Sequence, residues 1–533
     1  MRLVGASGDK RARYVIVGEA PGEDEELRGV PFIGQSGRLL WRLFGQCGIT
    51  RDQCYVTNCF KERPPNNDVD FFYQDKRNTK LKPEYEHYYH ELIAELAETT
   101  ANVIVALGGT PLSMLTGNYG ITKWRGSIQE SNVLPGRKVI ATFHPAHLFN
   151  AWDNLPLVIA DGRRIKGDST FPELRLPVRY ATVLKQKSQV LGLLKELAEL
   201  EIFGSDIETT MPGNAAQPYN TLILSIGFSK NTEEGFCIPF VGPHGRIFSY
   251  AEEAAIWQAI GRLMHMPRPR KIFHNGSFDY GILGRAIGIR PVNVEDTIIM
   301  MRTAYAMLPK YLATCASLFT REPYWKDDSK AIKNVRDWGK FWEYNTKDCT
   351  VMQEVYEVLL QHLHQKDLYH VYKRDRALTY GPLCEMMMRG IAYDTTGLAQ
   401  YRKDLVTKIE TAKDQLNILA GHEINVNSPK QLCDFLYNQL GLPEQYKRGK
   451  HERKLTADDA AIAKLYLSYT KPELELIRKI KKMNTELSRY VDMEVDQITG
   501  RVHCQYKPEP YTGRLSSAAS PWGAGTNFQN LPH

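Results

Sequence analysis

The chain has 533 residues, 43% hydrophobic and 24% charged, which predicts about three domains with ordinary cores and excludes bulk disorder. Lys and Arg number 68 against 61 Asp and Glu, a net charge of +7, so a polyanionic partner is permitted and local charge must decide the matter. No run approaches 18 apolar residues, the first 20 lead into a strand without a signal-peptide core, and nine Cys stand singly with no CxxC pair. Membrane insertion, export, a zinc ribbon and a secreted disulfide framework are therefore unsupported, and a cytoplasmic protein with buried free thiols is expected.

Within residues 1–165, the runs 14–18 (YVIVG), 102–108 (NVIVALG) and 138–142 (KVIAT) are short β-branched segments separated by helical pattern, which is α/β alternation. Between and after them lie GEAPG (18–22), PFIG (31–34), YVTNCFKERPP (55–65), WRGS (124–127) and TFHPAHLF (142–149). Over about residues 10–155 these pieces resemble uracil-DNA glycosylases, most nearly family 4, and the resemblance implies a three-layer α/β/α domain. It implies that Phe32 stacks on a flipped base, Asn58 reads the Watson–Crick edge and His144 donates to the departing anion. Glu19 would stand beside the attacking water or the cationic sugar. Lys61 and Arg63 would face phosphate. Family 4 enzymes ligate an iron–sulfur cluster with four Cys, whereas this segment holds only Cys47, Cys54 and Cys59, so no cluster is expected. Tyr and His of EYEHYYHELIAEL fall where a third ligand would lie, leaving packing or a neighbouring domain to hold the loops. Taken singly, His144 reads as a turn histidine and Asn58 as a strand-end cap; for the ordered set, an active glycosylase and a non-catalytic base reader both stand open.

Residues 166–194 lose periodicity and read as a connector. Across 195–375 a second α/β pattern starts at 199–206, continues through 221–228 and 271–274, and ends in long helices around 341–378. In SDIET, Asp206 and Glu208 at i and i+2 project from one face of a strand. HNGSFDYGIL adds Asp279, and EYNTKDCTVM puts Tyr344 and Asp348 at i and i+4 on one helix face. Each acid alone is an ordinary cap or surface charge; four acids and a phenol in this order form an oxygen-rich set suited to Mg²⁺ or Mn²⁺ and to phosphodiester hydrolysis. The set resembles the DnaQ-like 3′→5′ proofreading exonucleases, with an RNase H-like α/β fold. By that resemblance Asp206, Glu208 and Asp348 bind two metals, Asp279 completes the site and Tyr344 orients the attacking water.

Residues 376–533 turn mostly helical, with a Pro/Gly/basic interruption at 441–454. SPKQL (428–432), TGRVH (499–503), TGRLSS (512–517) and NFQNLP (527–532) resemble family A DNA polymerases in their order from thumb into palm. The resemblance implies that the basic runs 447–454 and 478–482, including Lys479, Lys481 and Lys482, grip the primer–template backbone, and that Arg514, Asn527 and Gln529 touch the duplex near the primer end. WGAG (522–525) lengthens a stretch that is usually shorter. No DYSxIE-like strand, fingers helix or HDE turn occurs in the sequence. The expectation is the N-terminal portion of a phage-like polymerase, either split, with palm and fingers from a second polypeptide, or cut within the palm at this point, acting on primer–template and single-stranded 3′ ends. The alternative is an accessory docking subunit that completes a partner's polymerase site.

Overall fold

The computed structural model describes residues 2–75, 78–210, 222–327, 337–448, 453–493, 495–496, 498–507, 512–522 and 525–530. They form two compact units, one built on residues 1–211, 222–382 and 508–515, the other mainly on 383–507 and 516–533.

The first sheet of the first unit contains β1 (Tyr14–Gly18), β2 (Cys54–Asn58), β3 (Val103–Leu107), β4 (Ile128–Glu130) and β5 (Lys138–Thr142) in the order β2-β1-β3-β5-β4. All pairings are parallel except β4 with β5. Every residue of β1, β2, β3 and β5 is buried, the near-continuous apolar run that a parallel sheet covered on both faces requires. Alternate side chains divide between the two faces. Tyr14, Ile16, Val103 and Val105 pack with Leu40, Phe44 and Ile165 of helices Gln35–Gln46 and Leu155–Asp168. Val15, Val17, Ile104 and Ala106 pack with Leu92, Leu96, Leu112 and Leu115 of helices Glu86–Ala97 and Gly109–Thr116. The layers are α/β/α. Because β1 has β2 on one side and β3 on the other, the connections diverge there and open a crevice beyond the carboxyl ends of the strands.

Structure fills much of 166–194. Helix Leu155–Asp168 runs past 165, β6 (Tyr180–Val183) joins the next sheet, and helix Lys187–Ala198 follows. β6 is an edge strand with three of its four residues exposed, so no alternation of burial marks it in the sequence.

The second sheet adds β7 (Ile202–Thr209), β8 (Ile223–Ser229), β9 (Glu234–Pro239), β10 (Arg270–Phe273) and β11 (Val294–Asp296), in the order β11-β10-β7-β8-β9-β6. β8 is antiparallel to both β7 and β9; the other pairs are parallel. The long helix Trp338–Gln365 lies across β7, β8 and β9, which brings its inner face against the carboxylates of β7.

In the second unit, helices Thr395–Ala420 and Pro472–Glu486 pair through Leu405, Ile409, Leu416, Leu474, Ile477 and Ile480. The basic interruption is a hairpin of Tyr446–Arg448 with Arg453–Leu455, and residues 449–452 of the run lie outside the described residues. Gly525 has φ +89, and a Cβ there would stand 1.8 Å from the His503 carbonyl oxygen. Trp522 of the same WGAG stretch is buried and packs edge-on against the His503 ring at 5.2 Å, while residues 523–524 lie outside the described residues.

Candidate functional site

Two clusters of chemically competent side chains lie in the first unit. The first is at the carboxyl ends of β1, β2 and β5, where Glu19, Phe32, Asn58 and His144 line one cavity of about 430 Å³. Asn58 closes β2 opposite Gly18, is 3% exposed, and its Oδ1 has no hydrogen-bond partner among the described residues. A buried acceptor without a partner is costly unless a ligand supplies the donor. A Cβ on Gly18 would stand 2.3 Å from that Oδ1 and 2.5 Å from the Phe32 ring, so glycine at 18 leaves the space. Phe32 has φ +54, a strained backbone for a bulky residue, and its carbonyl is held by Trp41 Nε1 at 3.0 Å and Arg51 Nη1 at 2.9 Å. The Phe32 ring stands 5.9 Å from His144, centroid to centroid.

His144 accepts from the Ala146 N–H through Nδ1 at 3.2 Å, capping the turn after β5. Burial pushes its pKa down to about 4. With Nδ1 accepting and the ring neutral, the proton sits on Nε2, which makes that atom a neutral donor. The turn and the donor readings of His144 are thus both satisfied by one ring. Glu19 accepts a hydrogen bond from Thr110 Oγ1, and burial, with smaller contributions from Asp70 and Asp68, raises its pKa.

Lys61 does not face phosphate. It is buried, and its Nζ bonds Thr57 Oγ1 at 2.5 Å, the Asn58 carbonyl at 3.1 Å and Glu95 at 2.6 Å, fastening the end of β2 to helix Glu86–Ala97. Arg63 stays at the rim, 3.7 Å from both Glu23 and Glu26. The three Cys of this domain do not converge: Cys47 donates to the Ile159 carbonyl and Cys54 to the Thr50 carbonyl, while Cys59 is fully buried at the far end of β2. They do not fit a four-thiolate cluster. The 60–88 loops are instead held by aromatic packing, with Phe60 stacked on Phe72 at 3.9 Å and Tyr73 and Tyr88 set edge-on around Phe60.

The second cluster is on β7 and the long helix. Ligand oxygens of Asp206, Glu208 and Asp348 all lie within 4.8 Å of one another. The pairing of β7 with β8 shifts register between Glu208 and Thr209, an irregularity of the kind that re-aims side chains at a site. Asp279 Oδ1 accepts from the Ile207 N–H at 3.1 Å, placing this carboxylate between the two acids of β7. Asn345 Nδ2 donates to Asp206 Oδ2 at 3.1 Å and is itself positioned by Ser225 Oγ at 3.1 Å. Burial first, then the Asp348 charge, pushes Asp206 up to about 7. Glu208 and Asp279 are pushed well above the usual carboxylate range, again by burial and then by Asp206. Such crowding is relieved by a cation, and a set of hard oxygen donors suits Mg²⁺ or Mn²⁺. Tyr344 and Asp348 do share a helix face. Burial and the neighbouring acids raise the Tyr344 phenol far above its ordinary value, so it stays protonated.

Two groups here were not singled out from the sequence. Lys326 Nζ bonds Asp348 Oδ2 at 2.5 Å and the Tyr344 hydroxyl at 2.8 Å, and Trp325 Nε1 donates to Asp348 Oδ1 at 2.7 Å. Both belong to a coil segment with no periodicity, so only the PYWKD clustering of aromatic and charge could have flagged them.

In the second unit, Lys479 and Lys482 are exposed on helix Pro472–Glu486, while Lys481 is paired with Asp459 at 2.8 Å. Lys481 lines a groove with Lys447 and Lys454. Gln529 and, in the first unit, Arg514 are exposed. Asn527 accepts from Ser517 Oγ and from the Gln529 N–H at 3.0 Å, so its side-chain oxygen shapes the turn.

Three family models match the chain: the uracil DNA glycosylase superfamily over residues 6–161, a 3′-5′ exonuclease over 181–364 and DNA polymerase family A over 395–533. The exonuclease match opens within β6. A type-4 uracil-DNA glycosylase of Thermotoga maritima is 39% identical over 154 residues, covering 28% of this chain and 74% of that protein. One from Archaeoglobus fulgidus is 34% identical over 154 residues, covering 26% and 68%. DNA polymerase I of Pseudomonas aeruginosa is 24% identical over 417 residues, 75% of this chain and 44% of that protein, so the chain spans less than half the length of this polymerase.

Proposed function

Because the chain belongs to the type-4 uracil-DNA glycosylase family over residues 6–161 and continues into 3′-5′ exonuclease and family A DNA polymerase domains, we propose that it is a DNA replication and repair protein that hydrolyses DNA 3′ ends. It also accepts an everted base in its N-terminal pocket and holds primer–template through its C-terminal helices. The observation that carries the hydrolytic assignment is the gathering of Asp206, Glu208 and Asp348 within 4.8 Å, with Asp279 and Tyr344 alongside.

In this account the three carboxylates hold Mg²⁺ or Mn²⁺, and two such ions when bound supply charge for both the attacking and the leaving oxygen of an in-line displacement. The chain's own residues do the positioning. Asn345 fixes the Asp206 carboxylate, Asp279 fastens the β7 backbone at Ile207, and the protonated Tyr344 hydroxyl orients the attacking water. In the base pocket, Phe32 offers a stacking face, Asn58 Oδ1 accepts the imide N–H of a pyrimidine, and His144 Nε2–H faces developing charge on the base. Exposed Lys479 and Lys482 meet backbone phosphate. Nucleotide addition needs palm and fingers elements that these 533 residues do not include, whether they stand on the same protein or on a second polypeptide, and DNA as substrate keeps the cytoplasm as its site of action.

The test is incubation with labelled primer–template and Mg²⁺, with and without dNTPs. Shortening of the 3′ end that dNTPs do not oppose supports the assignment, and no Mg²⁺-dependent shortening overturns it. For the pocket, release of free uracil from uracil-containing DNA, lost in His144→Ala, makes it a glycosylase. Binding of such DNA without release makes it a reader, and neither outcome removes the base-pocket assignment.

A further inference from the structure

The WRGS segment of the glycosylase-like domain has no part in the base pocket, yet it is where the exonuclease domain is fastened. Arg125 is 2% exposed, paired with Asp161, and its Nη1 donates to Ser317 Oγ at 3.0 Å. Gly126 has φ +73, and a Cβ there would come within 2.7 Å of Asp161 Oδ1 and 3.3 Å of the Ser317 carbonyl. Ser127 Oγ accepts from the Tyr324 N–H at 3.1 Å, the Trp124 and Tyr324 rings meet edge-on at 5.2 Å, and Lys123 pairs with Asp327 at 2.8 Å. A second anchor lies four residues upstream of Trp325, where Arg321 grips Asp168 through both guanidinium Nη atoms at 3.1 and 2.7 Å.

Between these anchors stand Trp325 and Lys326. Together they occupy both oxygens of Asp348, and Lys326 also holds the Tyr344 hydroxyl. The Lys326 head is therefore a bound cation of the chain's own, sitting on a carboxylate that a divalent ion also requires.

We propose that residues 321–327 are an internal strap by which the glycosylase-like domain restrains the exonuclease: a divalent ion must displace the Lys326 ammonium from Asp348, and the anchors on Lys123, Trp124, Ser127 and Asp168 set how readily it does so. This rests on Asp206, Glu208 and Asp348 being metal ligands. One ammonium contact must yield to the divalent ion, so removing that ammonium tightens ion binding, and weakening the anchor tightens it in part. The consequence is coupling: whatever loosens the 123–127 segment, such as DNA engaging the N-terminal domain, raises exonuclease competence at low Mg²⁺.

The experiment is Mn²⁺ titration of the full chain at pH 8, free ion counted by electron paramagnetic resonance, for the wild type, Lys326→Met, Lys123→Ala and Asp206→Ala, alongside 3′-end hydrolysis. Removal of one charge-assisted contact corresponds to about a tenfold gain in Mn²⁺ affinity for Lys326→Met. Lys123→Ala, which leaves every site residue in place, gains roughly threefold, as expected of an exposed pair. Mn²⁺ binding present in the wild type, lost in Asp206→Ala and unchanged in Lys326→Met overturns the strap alone. A fall in hydrolysis rate at saturating ion with unchanged affinity in Lys326→Met overturns it too, by making Lys326 a phosphate contact. Absence of Mn²⁺ binding in all four overturns both the strap and the metal assignment.

Discussion

Asn58→Ala separates stability from function in opposite directions. Asn58 Oδ1 is buried without a donor among the described residues, a condition that costs about 1–3 kcal/mol. Truncation removes that orphan acceptor, and the space left adjoins a cavity that already exists beside Phe32 and Gly18. The added cavity term is correspondingly small against the 2–5 kcal/mol typical of large apolar truncations. The net is stabilisation of about 1 kcal/mol, which for a domain of this size moves its unfolding midpoint up by roughly 2–4 °C. The same truncation deletes a base-edge contact whose net worth is about 1–3 kcal/mol, so affinity for uracil-containing single strands falls roughly five- to 150-fold. Calorimetric unfolding and fluorescence anisotropy with a uracil-bearing oligonucleotide read the two effects on one preparation. A variant that melts lower and binds uracil DNA as well as the wild type would refute the assignment of Oδ1 as an acceptor held open for a ligand.

Arg51→Met removes one of the two donors on the Phe32 carbonyl, and the strained backbone at 32 relaxes. Uracil-DNA affinity falls about tenfold while 3′-end hydrolysis is unchanged, and loss of both activities would point to unfolding instead. Asp206 rises from its ordinary 3.8 to about 7 in the fold, so between those values the metal-free fold holds a proton that the unfolded chain has released. The Asp206 contribution to metal-free stability is therefore fully present below about pH 4 and is lost as pH climbs to 7, while Mn²⁺ affinity rises with pH, by about tenfold per pH unit for this one proton. Melting and ion titrations across pH 5–8 check both signs, and a flat profile contradicts them. Lys479→Ala with Lys482→Ala removes two exposed cations from helix Pro472–Glu486. The log–log salt slope for primer–template binding drops by about 2, with sequence preference unmoved; an unchanged slope places phosphate elsewhere.

Chemistry tied to a strand end or a helix face was legible in the sequence. Asp206 with Glu208, and Tyr344 with Asp348, were placed together because strand and helix periods fix which side chains share a face, and the fold sets those faces against each other. Glu19, Asn58 and His144 were named through the resemblance to family 4 glycosylases, and the fold gathers them around one cavity at the carboxyl ends of β1, β2 and β5. What could not be read depends on partners far away in the chain. Lys61 carries the same charge whether it meets phosphate or Glu95, and only burial against helix Glu86–Ala97 decides. β6 lacks alternation because it is an exposed edge, and the aromatic cluster around Phe60 draws on residues from 60 to 88 with no common period. Lys326 and Trp325 sit in coil, where no local rule says that a side chain will turn toward Asp348.

The central assignment is that Asp206, Glu208 and Asp348 form a metal-dependent hydrolytic site, and Asp206→Ala tests it most directly. A 5′-labelled single-stranded oligonucleotide is incubated with Mg²⁺ and the full chain, wild type or variant. The account predicts stepwise shortening from the 3′ end that requires Mg²⁺ and falls by at least a hundredfold in Asp206→Ala, on the order of 3 kcal/mol of lost transition-state stabilisation. Undiminished Mg²⁺-dependent degradation by the variant would contradict it.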